Sequence, residues 1–469
     1  MAEKRKIGLW DLVLMNVSAL YGIRWIARST ASSFGLGLGA ILVWVLFSFI
    51  YFVPNALICA ELASTYPSDG GLYEWVKEAY GKKWGFMVSW LNWTAKLFWY
   101  SSFLTFLTVN VAYTFGKPEL AINKTFVLIV SLVIFWIVSL VSTKGMNFGK
   151  FFTSVGALGS TVPTTLLIVM AFISIFILKR EPASTYTLST MMPKLNMDSL
   201  VAISAVMFGL AGSETTANFV TEVDDPQKNF PKAVFISAAI VASLYVLGSL
   251  AITMILPPDQ ITASEGILVA LDSVAASLGI GSWFVRVVAL GVSLSVFGAI
   301  LLYIASPIKM LFGSVDEGIF PKRLTRVNKY DIPASTVILQ AILVSFILLV
   351  TNLLPSVDAI YNVLVTMTAL TSLFPYIMLY FAYIKLRKEN PNKERPFQLS
   401  KNDGTAIGLS RMLLVITSLG IVFSAAPVMD TFKENLIYEI QMIGGALIII
   451  VAGLAIWNNY EKKNKSRIN

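Results

Sequence analysis

SALYGIRWIAR, Ser18 to Arg28, lies inside an apolar run from Trp10 to Phe34. That run is long enough to cross a bilayer, which takes ~20 residues per helix. It carries Gly22 and two arginines, and just beyond them the small polar residues Ser29, Thr30, Ser32 and Ser33. Even mild insertion scales charge ~2.5–3.5 kcal/mol for an arginine at mid-membrane, so Arg24 has to face protein or water. The stretch reads as a broken first transmembrane helix whose unwound middle holds a solute.

The rest of the chain agrees with a membrane setting. Of 469 residues, 56% are hydrophobic and 13% are charged, too apolar for a soluble globular domain and typical of an all-α integral membrane protein. The chain has no histidine, which excludes zinc hydrolase motifs, histidine-ligated haem and histidine proton relays. No metal and no cofactor are expected. The single cysteine, Cys59, allows no intrachain disulfide. The start, MAEKRKIGLWDL, is charged but has no small-residue cleavage site after a short apolar core, so it reads as a retained first span.

Hydropathy places twelve spans, at about 10–34, 40–63, 84–115, 125–143, 151–178, 200–221, 233–256, 281–311, 334–353, 358–385, 409–429 and 435–457. With the N-terminus inside, twenty-five Lys and Arg fall on inner segments and six on outer ones, out of 36. That bias puts both termini in the cytoplasm and explains the net charge of +9 as topology, with no nucleic-acid role. After span two, GLYEWVKEAYG reads as a short interfacial helix on the cytoplasmic face. Span five carries Ser154, Gly156, Gly159, Ser160 and Pro163, a small face suited to close helix packing.

A second interruption, FGLAGSET, runs from Phe208 to Thr215 in span six. Spans one and six are thus Gly-interrupted at matching depths, and each opens a set of five. Five is odd, so the two sets run in opposite senses, the inverted-repeat pattern of a secondary transporter with its site where the broken helices meet. The expected organisation is a first repeat over 1–178, an external connection over 179–199, a second repeat over 200–386, and helices 11 and 12 with a short cytoplasmic tail over 387–469. The last two helices are plainer and suit oligomer or scaffold surface, a homodimer included.

A broken helix frees backbone N–H groups at one end and C=O groups at the other, and these ends attract a carboxylate and an ammonium respectively. An amino-acid zwitterion can dock there, while side chains read its tail. The substrate-binding candidates are Ser18, Tyr21, Gly22, Ile23, Arg24, Trp25, Phe208, Gly209, Gly212 and Tyr303. Arg24 pairs either with a substrate carboxylate or with Glu214. Glu214 is the candidate for proton coupling, with a plain structural pair as its alternative. Arg28 lines the outer vestibule or snorkels to the outer interface. Lys96, inside span three, snorkels, joins an ion pair facing the bundle, or contacts substrate.

Three blocks carry a family likeness over nearly the whole chain: SALYGIRWIA in span one, CAELASTYPSDGGLYEWV at the end of span two and GSETTANFVTEVDDPQKNFPKA from span six. A fourth, YIASPIKMLFGSVDEGIFPK, begins at Tyr303. The chain resembles the amino acid–polyamine–organocation superfamily of transporters, and within it the bacterial glutamate/GABA antiporter family. The resemblance implies a leucine-transporter-like 5+5 inverted repeat with discontinuous helices 1 and 6, alternating access and a bacterial cytoplasmic membrane. It implies exchange of an amino acid for a related amino acid or its decarboxylated amine. Tyr21 and Glu214 match family site positions, and Tyr303 falls where related antiporters have a substrate-stacking Trp. Arg24 falls where the glutamate/GABA member has Pro, so that member's substrate does not carry over. The tail after Trp457 is a dozen residues, shorter than the folded pH plug of the glutamate/GABA member.

The expected function is therefore an amino acid antiporter in contact with membrane lipids. The alternatives are a proton-coupled symporter without exchange, or a channel or symporter for another solute. An embedded enzyme is disfavoured, because no nucleophile–base pair is apparent.

Overall fold

The computed structural model describes residues 7–67, 71–144, 149–217, 219, 222–304, 307–308, 311–312, 318–330, 332–429 and 431–468. The side chains of 149–158, 160, 215, 302 and 466–468 also lie outside this description. The small-residue face expected at Ser154, Gly156 and Ser160 therefore falls outside it, as does much of the fourth sequence block.

The chain opens with α1 (Leu9–Leu20) and α2 (Arg24–Thr30), then α3 (Gly37–Thr65), α4 (Leu72–Tyr80), α5 (Lys82–Thr114), α6 (Lys124–Ser142) and α7 (Gly149–Phe172). The next elements are α8 (Met197–Gly209), α9 (Ser213–Ala217), α10 (Pro226–Ile255), α11 (Gly266–Ser277) and α12 (Trp283–Tyr303). It closes with α13 (Ala334–Thr351), α14 (Val357–Glu389), α15 (Asp403–Phe423) and α16 (Phe432–Lys465). No β-strand occurs among the described residues, where an isolated parallel bridge joins Ile7 to Val223. Helices suit a hydrocarbon surround, since within a continuous helix the backbone polar groups find their partners in their own segment.

Among the described residues, eight helices are long and apolar enough to cross a membrane: α3, α6, α10, α12, α13, α14, α15 and α16. Helix α5 runs for 33 residues, while α1, α8 and α11 are apolar but shorter. The outer helices show lipid-facing stripes. On α6, Ile129, Val133 and Ile137 recur one turn apart and each is more than half exposed, a face water would penalise and acyl chains would not.

The centre is built differently. Helix α10 packs on α1 and α2, α14 packs on α8, and α5 packs on α14, and their inward faces carry polar groups that are hydrogen-bonded locally. Thr366 and Thr371 on α14, for example, return their hydroxyls to the carbonyls of Asn362 and Met367. Helix α4 fits the short helix expected after span two, burying Tyr73, Trp75 and Val76 against α5 and α14. Gly81, at φ +84°, makes the sharp corner between α4 and α5. Helix α11 lies in the stretch that hydropathy left between spans seven and eight; at 12 residues it is too short to register as a span. It buries Ile267, Leu268, Leu271 and Val274 beside α7 and α12.

Candidate functional site

Both expected interruptions are present. Helix α1 ends at Leu20 and α2 begins at Arg24, leaving Tyr21 extended (φ −80°, ψ 127°). Helix α8 ends at Gly209 and α9 begins at Ser213, with Gly212 at φ +117° between them. That backbone setting disfavours any L side chain, and an added Cβ would meet nothing within 4 Å. The glycine there serves the backbone conformation, not packing.

The two pairs run past one another in opposite directions. Helix α1 packs on α9 and α2 packs on α8. On the first side Thr216 donates to Asn16 at 2.6 Å. On the second, the Trp25 ring meets Phe208 edge-on at 5.8 Å, and an added Cβ on Gly209 would sit 3.3 Å from Trp25 and Trp44. Glycine at 209 is what lets the two indoles approach.

Each break is bridged by a tyrosine from a neighbouring helix, a feature not anticipated from the sequence. The Tyr245 hydroxyl, on α10, accepts from the Gly22 amide at 3.1 Å and donates to the Leu20 carbonyl at 2.9 Å. Its ring stacks on Trp44 at 3.8 Å. The Tyr376 hydroxyl, on α14, accepts from the Gly212 amide at 3.0 Å and donates to Glu214 Oε2 at 2.5 Å. Just after the second break, Asn55 donates to Ser213 Oγ at 2.8 Å and accepts from Tyr380 at 3.0 Å.

The remaining candidates take distinct places. Tyr21 is buried, hydrogen-bonded to Thr164 on α7 and 5.3 Å from the Tyr245 ring. Ile23 is buried and Ser18 exposed. Arg24, 7% exposed, lies over the rings of Phe103 (4.0 Å) and Trp25 (4.6 Å). No ion pair joins it to Glu214; the aromatic faces hold one and Tyr376 holds the other. Arg28 is buried, donates one long hydrogen bond to Thr366 Oγ1 at 3.4 Å, and does not snorkel. Lys96 is half-buried over Trp99 and Tyr303 at 5.6 and 5.9 Å, and makes no ion pair among the described residues. Tyr303 is 46% exposed, meets Trp99 edge-on at 5.5 Å and accepts at its carbonyl from Tyr100.

Farther along α3 and α14 sits a buried ionic cluster. Glu61 pairs with Arg387 and, at 3.3 Å, with Arg395, and accepts from Tyr383 at 3.0 Å and from the Leu399 amide at 2.9 Å. Arg387 also reaches Asp403 at 2.7 Å and the Ser400 carbonyl. These contacts fasten the segment between α14 and α15 onto the end of α3.

Interrupted helices crossing in opposite senses, with buried cations at their junction, fit a membrane transporter. The chain belongs to the amino acid permease family, whose model matches residues 7–452. It is 31% identical over 458 residues to an uncharacterized transporter of Legionella pneumophila, covering 96% of each chain. It is 25% identical over 453 residues to a Lactococcus lactis subsp. lactis protein named "Probable agmatine/putrescine antiporter", covering 96% of this chain and 94% of the relative. It is 24% identical over 476 residues to an aspartate/glutamate permease of Lactococcus lactis subsp. cremoris, covering 96% and 94%. This is a multi-pass membrane protein of amino acid transport.

Proposed function

We propose that the chain is a secondary antiporter that exchanges an amino acid for a related amino acid or amine by alternating access. The reading includes twelve membrane crossings in a leucine-transporter-like 5+5 inverted repeat, residues 1–178 and 200–386, with both termini cytoplasmic. The observation that carries it is the pair of breaks at 21–23 and 210–212, set so that α1 meets α9 and α2 meets α8. Two oppositely directed broken helices need that pairing to share one chamber.

In this reading the substrate lies against the two breaks, with Tyr21, Gly22, Trp25, Phe208, Gly209, Gly212 and Tyr303 around it and Arg24 reading its tail. The uneven exposure of the site supports a chamber open toward the N-terminal half of α1. Ser18 and Tyr303 are exposed and Lys96 and Glu214 half-buried, whereas all of α2 is buried. With the N-terminus inside, that is the cytoplasm-facing state.

The mode is tested by counterflow in proteoliposomes across a panel of labelled amino acids and amines, with and without an internal amino acid. Antiport predicts uptake only into loaded vesicles. Equal uptake into empty vesicles driven by a proton gradient would replace antiport by symport, and single-channel conductance would replace both.

A further inference from the structure

Arg24 and Arg28 are one helical turn apart on α2, so their guanidiniums project from one face. Neither forms an ion pair among the described residues, although Arg24 is 7% and Arg28 1% exposed. Nε and Nη1 of Arg28 have no hydrogen-bond partner there. The same is true of Asn362 Oδ1 on the facing helix α14, on a residue that is itself 1% exposed. The Tyr361 hydroxyl, on a fully buried residue of the same helix, faces Arg24 and acts on both guanidiniums.

The nearby acids Asp358 and Asp198 act on Arg28 through space but direct their hydrogen bonds to other groups. The Asp358 oxygens accept from the Ser264 amide and hydroxyl at 3.1 Å each and from Asn362 Nδ2 at 2.8 Å. Asp198 accepts from the Phe34 amide at 2.7 Å. Glu214 is held by Tyr376. Lys96 adds a third half-buried cation acting on Arg24 and Glu214. No carboxylate touches either guanidinium among the described residues, and a guanidinium fork fits a carboxylate in bidentate fashion.

We propose that Arg24, Arg28 and Tyr361 form the seat for a side-chain carboxylate, so that the exchanged amino acids are acidic ones. This assignment rests on the transporter reading above. It makes Arg28 and Tyr361 specificity residues that read the substrate's tail. Glutamine, the same size as glutamate but uncharged, fails to neutralise the pair and leaves the desolvated charge in place. Putrescine adds a cation to a cationic seat.

The test uses the full chain in glutamate-loaded proteoliposomes, with labelled L-glutamate, L-aspartate, L-glutamine, L-leucine and putrescine offered outside. Glutamate or aspartate should exchange at least about ten-fold faster than glutamine. Arg28→Gln should bring that ratio close to one, and Arg28→Lys should keep part of it. Thermal shift of the unmutated protein in detergent needs no variant, and should show stabilisation by glutamate and none by glutamine. Glutamine or leucine exchanging as well as glutamate overturns the acidic seat and leaves the transporter reading standing. An unchanged glutamate-to-glutamine ratio in folded Arg28→Gln removes Arg28 from the seat. Self-exchange is run in parallel, each labelled solute outside vesicles loaded with the same unlabelled solute, and no exchange by any of them fails the transporter reading itself.

Discussion

The Tyr245 hydroxyl lies 3.1 Å from the Gly22 amide, spanning a helix break from a helix more than two hundred residues away in sequence. The same hydroxyl holds the Leu20 carbonyl at 2.9 Å, so one oxygen closes both ends of the interruption. Tyr245→Phe leaves both backbone groups without that partner. A buried polar group so orphaned costs about 1–3 kcal/mol. The expected outcome is a lower melting temperature in detergent with a reduced exchange rate. An unchanged melting temperature would show that the break does not depend on the bridge.

Gly212 and Gly291 separate backbone need from mere smallness. An added Cβ would meet nothing within 4 Å at either, but only Gly212 has positive φ, at +117°. Gly212→Ala is expected to cost about 1–3 kcal/mol in backbone strain and to impair transport. Gly291→Ala, inside α12, should be neutral or slightly stabilising. Comparative thermal unfolding of the two variants reads the difference.

Glu61 and Glu389 offer a contrast in charge burial. Glu61 is 2% exposed and pairs with two arginines, whereas Glu389 meets Lys385 at 3.8 Å with 59% of its side chain exposed. Breaking a buried pair from one side costs about 3–5 kcal/mol, an exposed one about 0–1 kcal/mol. Glu61→Gln should therefore lower the melting temperature sharply and loosen the 390–402 segment to proteolysis. Glu389→Gln should do neither.

Glu214 faces Tyr376 at hydrogen-bond distance and acts through space on Lys96, Tyr303, Tyr51 and Cys59. If this carboxylate carries the coupled proton, Glu214→Gln removes the titrating group and the pH profile of exchange flattens. The check is initial exchange rate between acid and neutral pH, in parallel with the unmutated protein. A profile of unchanged shape excludes Glu214 from coupling.

The two breaks were legible because glycine, small polar residues and charge are costly together in an apolar run unless the helix opens there onto protein or water. Trp25, Phe208 and Gly209 were legible by their closeness to those breaks. The bridging tyrosines were not. Tyr245 and Tyr376 sit in ordinary apolar helical context, and only the packing of α10 and α14 aims their hydroxyls at backbone far away in sequence. Arg24 and Glu214 look like natural partners by charge, yet aromatic rings take one and a phenol the other. Lys96, for which snorkelling, an ion pair or substrate contact was expected, rests over the rings of Trp99 and Tyr303. Helix α11 escaped notice because hydropathy detects length, and its length is short.

The Ile7–Val223 bridge bears on how the molecule moves. Ile7 donates to the Glu222 carbonyl at 3.0 Å and accepts from the Asp224 amide at 3.1 Å, stitching the chain before α1 to the chain after α9. With the Thr216–Asn16 contact at 2.6 Å, these two half-helices are joined at two points. In the alternating-access reading proposed above, a swing of α1 is expected to carry α9 with it.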